Sequence, residues 1–82
     1  MSITLASASN TDYVYLASGT ITLTMPTAIG NSNRYTIKNV GAGVITVDTI
    51  LGQTIDGSSS VLISVSNTSI DLISDGSNWN VI

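Results

Sequence analysis

Cysteine, histidine, glutamate and phenylalanine are all absent from this 82-residue chain, and lysine and arginine together number two. Each absence removes a class of function. Without cysteine there are no disulfides and no thiolate metal sites. Without histidine as well, zinc loses its ordinary ligand set. The two cations, Arg34 and Lys38, and the net charge of −3 exclude the clustered basic surface that replaces phosphate counterions, so no nucleic-acid partner is expected. No apolar run approaches the roughly 20 residues of a spanning helix, so no membrane helix is expected. The opening "MSITLASASN" lacks a basic-then-apolar secretion signal.

What remains is unusual for a free monomer. Only 9% of residues are charged while 43% are hydrophobic, and Ser, Thr and Asn supply the other polar surface. Disordered chains show the opposite balance. A chain this short buries only about 60% of the surface it exposes when unfolded, so its own core is marginal. Small scaffolds compensate with disulfides, metals or association. The first two have no ligands here, which points to an assembly subunit with apolar surface held against partners.

The organisation is β throughout. "TITLTM" alternates strictly, with Ile21, Leu23 and Met25 on one face and Thr20, Thr22 and Thr24 on the other. "YVYLA" places Tyr13 and Tyr15 opposite Val14 and Leu16, so both of its faces are expected to be covered. Ser18-Gly19 between these runs reads as a tight hairpin turn. Pro26 closes the next run and "TAIGNSN" is a loop. "RYTIKNV" follows, with Tyr35 and Ile37 on one face. "GAG" turns the chain into "VITVDT", and a short strand around Ile55 precedes Asp56-Gly57. "VLISV" and "SIDLIS" flank a turn at Asn67-Thr68. Asp75 to Asn78 is the last turn, and "WNVI" returns as a paired strand with Trp79 and Val81 together, Asn80 and Ile82 opposite. Seven to eight short strands with turns every 8 to 12 residues or so predict an all-β, small antiparallel sandwich or barrel-like module. The glycine rhythm of "VGAGVITVDTILGQTIDG" is too short to define a solenoid. Residues 1–11 form an N-terminal arm or edge strand, and 12–82 a single β-module.

Chemistry has little to work with. Asp71 and Asp75 are the closest carboxylates for a glycosidase-like acid and base. Yet Asp12, Asp48, Asp56 and Asp75 stand at strand ends or turns, where aspartate supplies local hydrogen bonds. "DGSN" lacks the alternating ligands and the later Glu of a calcium loop. Gly41 and Gly43 give G-x-G without a third glycine or a following helix, so they form no phosphate cradle. No catalytic residue, cofactor or metal ligand is assigned. Tyr13, Tyr15, Tyr35 and Trp79 are candidates for core or subunit interface ahead of a saccharide groove, and Ile82 joins them as an interface residue.

The succession "TLTMPTAIGNSNRYTIKNVGAGVITVDTILGQTIDG", closed by "LISDGSNWNVI", resembles a small β-module of phage tail fibres, tailspikes and other virion surface proteins. The likeness covers about residues 12 to 82, with Met25-Pro26 where the pattern has Leu-Pro. It implies a homotrimeric, β-rich piece of a virion, made in the host cytoplasm and carried on the particle. Because the module nearly fills the chain, a small capsid decoration (cement) protein that binds the major capsid protein or another virion protein is the leading expectation. A tail-fibre or tailspike module, with a receptor-binding tip contacting host saccharide, is the alternative.

Overall fold

The computed structural model describes residues 2–7 and 12–82. Eight strands form: β1 (Ser2–Thr4), β2 (Asp12–Ala17), β3 (Ile21–Thr24), β4 (Arg34–Asn39), β5 (Ile45–Asp48), β6 (Ser60–Ile63), β7 (Ser69–Ser74) and β8 (Trp79–Val81). They lie in two four-stranded sheets, ordered β1-β3-β5-β6 and β2-β4-β7-β8. The all-β architecture is as the alternation predicts, and the number of strands agrees, but the eighth is β1: Ile55, read as a short strand, forms only isolated bridges to Ser58 and Trp79. The described part of the N-terminal segment contributes an edge strand, β1; Met1 and residues 8–11 lie outside the described residues.

The sheets are mixed, not antiparallel, and neither closes into a barrel. From β1 to β5 the chain changes sheet at every corner. Consecutive strands therefore stack across the core, and alternate strands pair in parallel: Ile3 with Leu23, Leu23 with Val47, and Tyr15 with Ile37. The connection at 18–20 is accordingly a corner between sheets and not a hairpin. Its cause lies further along the chain. A Cβ on Gly43 would come within 2.4 Å of the Gly19 carbonyl carbon, and one on Gly41 within 2.7 Å of the Ser18 Cβ. The G-x-G pair thus lets the β4–β5 corner nest directly on the β2–β3 corner. Only β6, β7 and β8 reverse this winding, pairing antiparallel with β5, β4 and β7.

Inward faces of both sheets supply one core. Leu5, Leu23, Met25, Ile45, Val47 and Ile63 come from the first sheet and its flanks, and Ala17, Tyr35, Ile37, Leu72 and Trp79 from the second. Period-2 alternation on a pleated strand sends each of these the same way. Burial of this apolar surface contributes about 25 cal/mol per Å² removed from water.

Asn39 is the polar exception. It occupies an inward position of β4 after Tyr35 and Ile37 and is fully buried. Its side-chain amide donates to the carbonyls of Gly43 and Ile63, each at 2.8 Å, and its side-chain oxygen accepts from the Gly41 amide at 3.0 Å. Its backbone amide donates to Thr68 and its carbonyl accepts from Asn67. One side chain therefore ties the β4–β5 corner to the end of β6.

Candidate functional site

The four aromatic rings converge on the inner face of the second sheet. Tyr13 and Tyr15 sit on β2, Tyr35 on β4 and Trp79 on β8. Tyr35 stacks on Tyr13 with ring centres 5.1 Å apart and meets Trp79 edge-on at 5.2 Å and 89°. Such offset and T-shaped pairs contribute beyond area alone. The Trp79 indole donates to the Pro26 carbonyl at 3.2 Å, and the Tyr35 hydroxyl to the Ala6 carbonyl at 2.7 Å. Both polar tips are satisfied inside the fold.

This placement sorts the five interface candidates. Tyr35 and Trp79 are fully buried within the chain's own core, so neither offers surface to a partner or a sugar. Tyr13 and Tyr15 are half-buried, and Ile82 is exposed. The tail is held because β8 pairs with β7, Leu72 facing Val81 and Ser74 facing Trp79. The turn before it is fixed by the Asp75 carboxylate, which accepts from the amides of Ser77 and Asn78 at 3.0 and 2.9 Å. These bonds hold the Asp75 carboxyl below its ordinary pKa.

Asp71, the other half of the carboxylate pair considered for catalysis, faces outward from the middle of β7. It accepts hydrogen bonds from the Thr36 hydroxyl at 2.6 Å and from Arg34, with which it also forms an ion pair. The Thr36 bond and then the Arg34 bond lower its pKa, and Asp71 raises that of Arg34 in return. Both carboxylates are thus engaged in separate local networks. Among the described residues, no group of three or more His, Cys, Asp or Glu side chains comes together.

The outer faces are the remaining candidates. On the first sheet, register aligns Ser2, Thr22, Thr46 and Leu62 in one row and Thr4, Thr24, Asp48 and Ser60 in the next. Asp48 is the sole charge in this hydroxyl array. On the second sheet, Val14 lies beside Thr36 and Asp71, and Leu16 beside Lys38 and Ser69. Val14 and Leu16 are 68% and 69% exposed, so the outward face of "YVYLA" is open, contrary to the expectation that both its faces are covered. Leu62, Val65 and Ile82 are exposed to a similar degree.

Comparison of the chain with protein-family models, with curated proteins and with solved structures gives no match to any of them.

Proposed function

We propose that this chain is a structural protein of a phage virion, a small capsid decoration protein that associates as a homotrimer and stabilises the particle. The observation that carries the reading is the pairing of a self-contained aromatic core with open, weakly charged outer faces. The polar groups that could do chemistry are engaged locally: Asp71 with Arg34 and Thr36, Asp75 with its own turn. The surfaces are what the molecule has to offer. Val14, Leu16, Leu62, Val65 and Ile82 expose apolar area of the kind that marks partner contacts. The Ser/Thr rows of the first sheet add a nearly uncharged face that packs against a protein lattice at low electrostatic cost. The likeness of "RYTIKNVGAGVITV" and "SDGSNWNVI" to virion surface modules supplies the phage context.

A tail-fibre or tailspike module is the second reading, and one observation favours it. The parallel winding of β1 to β5 is the geometry of a stackable coil, as a fibre shaft would use.

Particles assembled without the chain separate the two. A decoration role predicts that such particles lose their genome at lower temperature and that adding the purified protein restores them. A fibre role predicts particles of unchanged heat resistance that fail to adsorb to the host. Particles unaffected in both respects would sink both readings.

A further inference from the structure

The two ends of the sandwich are built differently. At one end the segment 54–58 lies along β8. The Trp79 amide donates to the Thr54 carbonyl at 2.8 Å, the Asp56 amide to the Trp79 carbonyl at 3.0 Å, and the Val81 amide to the Asp56 carboxylate at 3.1 Å. That edge of the second sheet is closed. At the other end β1 and β2 are the outermost strands of their sheets, and no described strand pairs with the outer side of either. Between them opens an apolar cleft of about 330 Å³, lined by Ile3, Leu5, Tyr15, Leu16, Ile21 and Leu23 among others.

Free edges are usually blunted by lysine, proline or a bulge. Neither "SIT" of β1 nor "DYVYLA" of β2 carries lysine or proline, and the only charge is Asp12 at the start of β2. The backbone is also aimed outward. The Val40 amide donates to the Ala17 carbonyl, so Ala17, Tyr15 and Tyr13 direct their peptide groups at β4. Alternation then turns those of Val14 and Leu16 to the open edge. Likewise the Leu5 amide donates to Thr24, which leaves Ser2 and Thr4 facing outward on β1.

We propose that a second copy of this chain docks here, head to head, about a two-fold axis perpendicular to the sheets. That operation sets β2 antiparallel to β2 of the second copy and β1 antiparallel to its β1, and it closes the two clefts on each other. The β2 edge is self-complementary in one register. Val14 pairs with Leu16 of the second copy and Leu16 with its Val14, while the two Tyr15 residues meet on the axis. Asp12 then falls beside Ser18 of the second copy, with the two Asp12 carboxylates at opposite ends of the seam. An isologous interface of this kind needs one patch that fits itself. With extents of 34 × 23 × 23 Å, a face of the molecule spans at most roughly 500 to 800 Å², so two apposed faces are on the order of the 1,000 Å² total that a specific interface requires.

The inference is independent of the virion reading. A trimer that pairs in this way is a hexamer, and a bare trimer would overturn the two-fold while leaving the virion reading intact. Sedimentation equilibrium on the full chain is expected to give an even number of copies. Val14→Lys combined with Leu16→Lys should halve that number, while Leu51→Lys, fully exposed in the turn after β5, should leave it unchanged. Should the double variant fail to fold, amide exchange on the wild type decides: the Val14 and Leu16 amides are expected to be protected, and to lose protection on dilution. An odd or monomeric wild type, an unchanged mass in the folded double variant, an equal effect of Leu51→Lys, or fast exchange at Val14 and Leu16 at high concentration would each overturn it.

Discussion

Gly43 lies against the backbone of Gly19, so close that a methyl group on it would meet the Gly19 carbonyl oxygen at 2.6 Å. The obstacle is backbone on both sides, which cannot swing aside as a flexible side chain would. Gly43→Ala is therefore expected to pry the two corners apart. Overpacking of this kind costs about 1–3 kcal/mol, and the backbone clash places this case at the upper end. Urea unfolding measures it. Gly30→Ala, with open space around its Cβ position, should cost less despite its positive φ of 69°.

Trp79 fills the centre of the core through its contact with Tyr35 and its bond to Pro26. Trp79→Ala should cost about 3–5 kcal/mol, a large fraction of the stability of so small a domain. Because the ring contacts the chain's own core, the loss should appear in the unfolding of the isolated protein at every concentration. A melting temperature that fell only under assembling conditions would place the ring at a subunit contact instead.

Asn39→Leu keeps the branched shape of the side chain and removes the hydrogen bonds. The Gly43 and Ile63 carbonyls and the Gly41 amide then lose their partner, and each buried group left unsatisfied costs about 1–3 kcal/mol. The variant should unfold at markedly lower urea concentration than wild type. Asn39→Asp should also destabilise, since a carboxylate cannot donate to two carbonyls.

Acid should weaken the fold through Asp71 and Asp75. Both have pKa values lowered in the folded state, so the unfolded chain binds protons more readily at low pH. Their contribution is present above the ordinary carboxylate range near 3.8 and is lost as pH falls below it. Asp71→Asn combined with Asp75→Asn should flatten the acid limb of the melting temperature measured between pH 5 and 2, with little change in its slope near pH 7.

The strands themselves were legible, and the reason is alternation. "RYTIKN" and "ITVD" put their buried residues at every second position because a strand's side chains alternate faces. Whether two neighbouring strands pair or stack was not. Ser18-Gly19 suits a hairpin as well as a corner, and the choice is made by Gly41 and Gly43 more than twenty residues on. The aromatic cluster followed from composition, since Trp79 and the tyrosines are the largest side chains available to a small core. Its consequence, that Tyr35 and Trp79 are lost to any partner, needed the burial itself. Asn39 was missed although the sequence carried a signal: it continues the inward series of Tyr35 and Ile37, and an asparagine at a core position needs a bonded role.

If the chain is a component of a phage virion, as proposed, quantitative mass spectrometry of purified particles of a phage whose genome encodes it will find it there. The chain is expected in every particle, at a copy number comparable with that of the major capsid protein. Particles that contain none of it would overturn the proposal.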